Sequence, residues 1–421
     1  MEEKQVRALV IGVNINQDPH FHESIAELKN LALACDIEPV GEVVQNLKRV
    51  NATHYIGTGK MAEIKDQIDQ DKIDVLIFED ELTPSQIRNL EKFLNIEILD
   101  RTRLILEIFS SRAQTREAKL QVEIARLRYV LPRLRNTKQN LSQQRGGTGT
   151  RTRGAGETKL ELDRRKIRIK ISELEKELKN ITLNRQIRRK RRAESGIPLV
   201  CLVGYTNAGK STLMNALVKQ NQHGQDKLVF EKDMLFATLE TSIRCIKLEN
   251  GNKILLADTV GFINKLPHHL IKAFHSTLEE VKEADLLLHV VDCTNSNYQK
   301  QIEVTNETLK YIEADHIQQV CVYNKIDLFP DIMLPENGIS VKISAKNEID
   351  IFQLTHILSK QLFSSYRKCQ LLIPYDQGQI LAYLKENATI MSEPSYTEAG
   401  TMVETKLSKA DFEKYQKYVL I

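Results

Sequence analysis

Val200-Cys201-Leu202-Val203-Gly204-Tyr205-Thr206-Asn207-Ala208-Gly209-Lys210-Ser211-Thr212 is an apolar run that passes straight into a glycine-rich turn and then into a helix-forming stretch. That order is the signature of a phosphate-binding loop. Its glycines let successive backbone N–H groups face phosphate oxygens, Lys210 reaches the terminal phosphates, and the Ser211 hydroxyl is placed to ligate magnesium. The nine residues Gly204 to Thr212 are therefore candidate nucleotide ligands, and Lys210 is a candidate catalytic cation.

Three downstream segments turn a short motif into an ordered set. Asp258-Thr259-Val260-Gly261, Asn324-Lys325-Ile326-Asp327 and Ser344-Ala345-Lys346 each close an apolar, β-branched run. Strand ends are where open α/β sheets bind ligands. Asp258 is expected to reach Mg²⁺ through water, and the Gly261 N–H to meet the γ-phosphate. Asn324 and Asp327 would frame the base. A carboxylate at Asp327 can accept from both N1–H and N2–H of guanine, whereas adenine offers no such donor pair, so the expected substrate is GTP. Between the loop and Asp258 lies Phe236-Ala237-Thr238-Leu239-Glu240-Thr241. A threonine here should complete the magnesium shell: Thr238, with Thr241 in reserve. Many GTPases carry a water-orienting glutamine after the glycine of Asp258–Gly261, but this chain has Phe262. Hydrolysis by the protein alone should therefore be slow. Asn207 can lend its side-chain oxygen to a monovalent cation, K⁺, which predicts faster turnover in potassium than in sodium.

The 421 residues are 41% apolar and 28% charged, within the range of a chain of several soluble domains. The net charge of +4 hides an uneven distribution: Arg126 to Arg192 holds twenty-two Lys and Arg against six Asp and Glu, leaving the remainder net acidic. The six cysteines are widely spaced without a C-x-x-C pair, as expected of a reducing cytosol. No run has the length of a membrane span, and Met1-Glu2-Glu3-Lys4 lacks the order of a signal peptide. A cytoplasmic protein without stable membrane insertion is expected.

Four regions follow. Residues 1–112 alternate strand-like runs (Val6 to Val13, Val75 to Phe78, Ile96 to Leu99) with amphipathic ones (Ser24 to Ala34, Pro84 to Leu94), the pattern of a small parallel α/β domain. Within it Tyr55-Ile56-Gly57-Thr58-Gly59-Lys60 reads either as a tight turn opening a helix over Met61 to Ile68 or as a fragment of a second nucleotide site. Residues 113–193 carry two heptad stripes, Leu120/Ile124/Leu127/Leu131/Leu134 and Ile167/Ile171/Leu174/Leu178/Ile181, implying a helical hairpin of two helices of about 25 residues, with Pro132 bending or ending the first early. Its tip, Gln143 to Glu157, has five glycines and three arginines, and Gln143 to Gly156 lacks acidic residues. Together with the six basic residues between Arg185 and Arg192, this suits a phosphate backbone, and the lack of interleaved aromatics favours folded RNA over a stacked single strand. Residues 194–367 form the expected P-loop GTPase domain, with a mixed, mostly parallel sheet. Residues 368–421 read as a small C-terminal α+β domain of order strand, helix, strand, strand, helix, without a catalytic constellation. The whole is a multidomain α/β protein.

The chain resembles the HflX family of ribosome-associated GTPases, in the Obg–HflX branch. The likeness rests on Tyr55 to Lys60, the run Leu120 to Tyr129, Gly154 to Arg165, Phe236 to Leu239, Asp258 to Ile263 and Leu266-Pro267-His268-His269-Leu270. It departs at Glu240-Thr241, where the family has Asp-Pro, and at Ala155, which stands within the family's Gly-Pro-Gly. His268 and His269 fit the start of a switch helix better than a metal site. The resemblance implies a monomer that binds GTP, GDP and Mg²⁺, engages the 50S subunit and its 23S rRNA with the hairpin tip, and splits or rescues stalled 70S ribosomes under stress. GTP would order Thr238 and Asp258 to Leu270 and so fix the hairpin's posture, and hydrolysis would release it. Large-subunit assembly is a rival reading, as is ATP-driven RNA remodelling at Gly57 to Lys60 with a regulatory GTPase domain.

Overall fold

β1 (Val6–Ile15) lies inside the sheet of the N-terminal region and is buried from Ala8 to Val13, as its apolar run requires. In the computed structural model, residues 5–134, 152–194, 196–220, 236, 238–239, 241–248, 251–265, 267, 270, 275–330, 338–364 and 366–420 are described. They divide into two units: residues 1–183, 234–239 and 264–274 in the first, and 184–233, 240–263 and 275–421 in the second.

In the first unit β1, β2 (Ile37–Leu47), β3 (Val75–Phe78) and β4 (Glu97–Asp100) form a parallel sheet of order β2-β1-β3-β4. The helices α1 (Phe21–Leu33), α2 (Thr58–Asp71), α3 (Pro84–Leu94) and α4 (Arg101–Arg112) connect or follow its strands. Three of the strands and α1 to α3 match the sequence expectation; β2 does not. Its Pro39 and Gly41 argue against a strand, and both are accommodated because β2 is an edge strand whose pairing skips a residue, Ala8 opposite Pro39 but Leu9 opposite Gly41. Helix α3 is capped at both ends: Pro84 at the first turn, a reciprocal Thr83–Gln86 capping box, and Asn95 in the left-handed conformation after the last turn.

The hairpin helices are α5 (Arg116–Val130) and α6 (Thr152–Glu194). Leu120, Ile124 and Leu174 are buried against one another with Leu127, Ile171, Leu178 and Ile181 packed around them, so the two stripes meet as expected. The lengths differ from expectation. Leu131–Arg133 is a 3₁₀ turn and Leu134 is extended, because Pro132 cannot continue the α-helical ladder. At the other end Thr152 to Glu157, expected in the loop, is already helical. Once nucleated, a long helix extends by one hydrogen bond per residue fixed, which offsets the cost of Gly154 and Gly156. The remainder of the tip, Gln143 to Arg151, lies outside the described residues.

The second unit holds a six-stranded sheet from β5 (Leu199–Val203), β6 (Ser242–Lys247), β7 (Lys253–Asp258), β8 (Leu286–Asp292), β9 (Gln319–Asn324) and β10 (Ile339–Lys342), in the order β10-β9-β8-β5-β7-β6. Only β6 runs antiparallel, against β7. Every residue of β5 is buried, as a central parallel strand with both faces covered requires. Its helices are α7 (Lys210–Gln220), α8 (His275–Lys282), α9 (Tyr298–Tyr311) and α10 (Glu348–Phe363). The same unit ends in an antiparallel sheet of β11 (Arg367–Ile373), β12 (Thr389–Ile390), β13 (Ser395–Thr397) and β14 (Gly400–Leu407), with helices α11 (Gly378–Asn387) and α12 (Lys409–Tyr415). Strand β13 escaped the sequence reading: it is three exposed residues long and too short to show an alternation.

Candidate functional site

The glycine turn after β5 sits where it does because two of its residues can have no side chain. Gly204 has φ +143°, and a Cβ there would lie 2.2 Å from the Val290 carbonyl oxygen of β8. Gly209 has φ +91°, and its Cβ would meet Asn324 Nδ2 at 2.3 Å. The loop is thus pressed onto the ends of β8 and β9. Lys210, the first residue of α7, is buried, and its Nζ donates to the carbonyls of Gly204 at 3.0 Å and Tyr205 at 2.7 Å. Burial lowers its pKa to about 8, against the pull of the Asp258 carboxylate. A phosphate arriving at Nζ would supply the countercharge that the site lacks.

The strand-end motifs converge on this loop. Ser211 Oγ donates to Asp258 Oδ2 at 2.7 Å, and Thr259 Oγ1 donates to the Leu202 carbonyl at 2.6 Å. The chain after Asp258 then pairs with the loop itself: Thr206 N–H donates to Phe262 O at 2.8 Å and Phe262 N–H donates to Gly204 O at 3.1 Å. Gly261 is held so close that a Cβ would come within 2.8 Å of Thr206 Cα and 3.0 Å of Lys210 Nζ. Val260 is buried beside it. On the far side, Asn324 joins three loops. Its Nδ2 donates to Ala208 O at 2.9 Å, and its Oδ1 accepts from Ala345 N–H at 3.0 Å. Ser344 is fixed by its N–H donating to Asp350 Oδ2 at 2.7 Å, and Lys346 N–H reaches Ser344 Oγ at 3.4 Å. Ile326 N–H donates to Ile343 O at 3.3 Å. Asp327 is exposed.

Phe236, Thr238 and Leu239 belong to the first unit, where Phe236 packs edge-on against Phe109 of α4 at 4.7 Å. Ala237, Glu240, Leu266, His268 and His269 lie outside the described residues. Asn207 has φ +61°, and Thr212 is half-buried in α7. The Tyr55–Lys60 segment is a turn that opens α2: Gly57 N–H is committed to Gln45 Oε1 at 2.9 Å, and Lys60 Nζ pairs with Glu63 at 2.5 Å.

Three contributors escaped the sequence reading. Asp292, the last residue of β8, takes Lys325 Nζ at 2.7 Å, and Cys293 Sγ donates to Asn324 O at 2.8 Å. The signal was present, since the apolar run Leu286 to Val291 closes on an acid as Leu255 to Ala257 does. Third, His289 is buried in β8, and burial, then the nearby Lys210 ammonium, lowers its pKa to about 4.

A glycine loop opening a helix, a buried lysine, a Ser–Asp pair and an asparagine bridge at the carboxyl ends of parallel strands define a P-loop GTPase. Residues 199–325 match the model of the 50S ribosome-binding GTPase family, 22–110 that of a GTP-binding GTPase N-terminal region, and 112–192 that of a GTP-binding GTPase middle region. A GTPase HflX of Caldanaerobacter subterraneus subsp. tengcongensis is 42% identical over 98% of this chain and 94% of its own length. The GTPase HflX of Escherichia coli is 34% identical over 98% and 96%. Among solved structures, a GTP-binding protein from Sulfolobus solfataricus in complex with GDP aligns with 84% of this chain at 25% identity and a TM-score of 0.43. The chain belongs to the HflX family of GTPases.

Proposed function

We propose that this GTPase binds the large ribosomal subunit through contacts that depend on the γ-phosphate, and that it splits or rescues stalled 70S ribosomes. The observation that carries the reading is the match of residues 199–325 to a 50S ribosome-binding GTPase model in a chain that is HflX-like along its length. The basic excess between Arg126 and Arg192 supports 23S rRNA as the surface engaged, because lysine and arginine release counterions on binding phosphates.

Lys210, Thr238 and Gly261 are assigned the catalytic roles, and Asn324, Asp327 and Ala345 the recognition of guanine. The cradle suits magnesium: the Ser211 hydroxyl and Asp258 carboxylate, 2.7 Å apart, are hard oxygen donors. Ser211 would hold the ion directly, Asp258 through water, and Thr238 would complete the shell. When bound, the ion neutralises charge on the β- and γ-phosphates. With Phe262 in place of a water-orienting side chain, slow basal turnover and acceleration by the 50S subunit are expected. Among the described residues no helix is long and apolar enough to cross a membrane. We assign the protein to the cytoplasm as a monomer.

Sedimenting ribosomes with the protein in GTP-analogue, GDP and nucleotide-free states tests the proposal. Co-sedimentation with the 50S peak should require the analogue. Equal recovery in all three states would refute it, and a peak shift confined to immature particles would favour subunit assembly instead.

A further inference from the structure

Thr206, in the phosphate loop, carries a hydroxyl that the fold itself does not use. The residue is 6% exposed, and its Oγ1 has no hydrogen-bond partner among the described residues. Two neighbouring hydroxyls are engaged: Ser211 Oγ donates to Asp258 Oδ2 at 2.7 Å, and Thr259 Oγ1 donates to the Leu202 carbonyl at 2.6 Å. A buried hydroxyl without a partner is destabilising, and valine would fill the same volume without that cost. Packing alone therefore does not account for a threonine here.

Thr206 lies where the phosphate loop meets the turn after β7, and both belong to the second unit. Its N–H donates to Phe262 O at 2.8 Å, and Phe262 N–H donates to Gly204 O at 3.1 Å, so the loop and the turn are stitched together beside Gly261. The point where Gly261 would carry a Cβ is 2.9 Å from Thr206 Cγ2 and 3.0 Å from Lys210 Nζ. The Thr206 side chain and the lysine ammonium thus border the same small space. Cγ2 and Oγ1 share one Cβ, and rotation between staggered wells exchanges their places. The third phosphate of GTP, carried by Lys210 Nζ and the Gly261 N–H, would bring its phosphorus to that space. In many GTPases a glutamine after the glycine orients the attacking water there. Phe262 stands in its place, buried and without a polar side-chain atom.

We propose that Thr206 is a catalytic residue: its Oγ1 accepts a hydrogen bond from the attacking water and donates its own proton to a γ-phosphate oxygen. A hydroxyl has two lone pairs and one proton, enough for both contacts. In the step itself the water oxygen forms a bond to the γ-phosphorus as the bond from that phosphorus to the β–γ bridging oxygen breaks. GDP leaves with that electron pair, and the proton lost by the water goes to the released phosphate. Thr206 holds the water in line and is itself unchanged. The proposal rests on the assignment of Lys210 and Gly261 to the terminal phosphate.

The test is single-turnover GTP hydrolysis by the full-length protein at saturating GTP, beside titrations with fluorescent GDP and with a fluorescent non-hydrolysable GTP analogue. Thr206→Val keeps the shape and removes the hydroxyl. It should lower the rate about tenfold or more and leave both affinities within about threefold, because a contact that matters in the transition state is lost from turnover and not from binding. Thr206→Ser keeps the hydroxyl and removes the methyl, and should stay within about threefold of wild type on the same reasoning. A space-filling role predicts the reverse order, with Thr206→Ser the more damaged, and that result overturns the proposal. An unchanged rate in Thr206→Val overturns it too, as does a loss confined to the two affinities. Should Thr206→Val fail to fold, Thr206→Ala set against Thr206→Ser gives the same contrast, since those two differ by the hydroxyl alone. A wild-type protein that binds neither nucleotide overturns the phosphate-site assignment itself, and the role of Thr206 with it.

Discussion

Replacing His289 with glutamine should remove about 2 kcal/mol of the stability that the nucleotide-binding domain loses between pH 7.5 and pH 5. His289 lies in the central part of the sheet, one residue before Val290, whose carbonyl fixes Gly204. Burial, with Lys210 nearby, lowers its pKa from 6.5 to about 4, and its Nδ1 has no hydrogen-bond partner among the described residues. The unfolded chain therefore takes up a proton at His289 below pH 6.5 that the folded domain refuses until about pH 4. The stability is fully present above pH 6.5 and falls as the pH falls through that window. At about 1.4 kcal/mol per pH decade, roughly 2 kcal/mol is lost on going to pH 5. Pulse proteolysis in urea, following the fragment of this domain, reads the loss. Wild type should lose about 2 kcal/mol more than His289→Gln between the two pH values, since the carboxylates common to both proteins cancel. Equal losses would show that His289 is protonated as easily in the fold as in water, and the burial argument would be wrong.

Gly204→Ala should destabilise the domain by about 1–3 kcal/mol or more, because its Cβ meets the Val290 carbonyl at 2.2 Å and the backbone is already left-handed; a thermal melt reads it, and an unchanged midpoint would refute the close-packing account. Asp327→Asn should weaken GTP binding at least a hundredfold by removing the carboxylate that accepts from both guanine donors, on the order expected when a buried polar pair is broken; competition binding with xanthosine triphosphate, whose base offers a different donor pattern, should show the preference reversed. If Asn207 holds a monovalent cation, turnover is faster in potassium than in sodium, and Asn207→Ala removes the difference; equal rates in both salts dispose of the role.

Wherever local chemistry is unusual, the sequence could be read. The phosphate loop needs glycines at Gly204 and Gly209 for the reasons the structure supplies, and the order of Asp258, Asn324 and Ser344 along the chain reports three parallel strands delivering their ends to one edge. The seam between α5 and α6 was visible because its leucines and isoleucines repeat at helical spacing. Edge and boundary features were not legible. Strand β2 tolerates Pro39 and Gly41 only because it pairs on one side, a property of its neighbours and not of its own residues. The true end of α5 was marked by Pro132, whereas nothing at Thr152 marks the start of α6. The contacts of Lys265 with Glu79 and Asp80 were invisible because the partners are nearly two hundred positions apart and each, read in sequence alone, looks like an ordinary surface charge.

The two-sided use of Asn324 has a further consequence. Its amide cannot rotate without surrendering Ala208 and Ala345 at once, so the phosphate loop and the loop proposed to meet the base are tied into a single body. Guanosine or pyrophosphate offered separately should then each bind far more weakly than half of GDP's free energy would suggest, because either fragment must order the same body on its own. Departure of a bound guanine nucleotide then becomes one event with one rate.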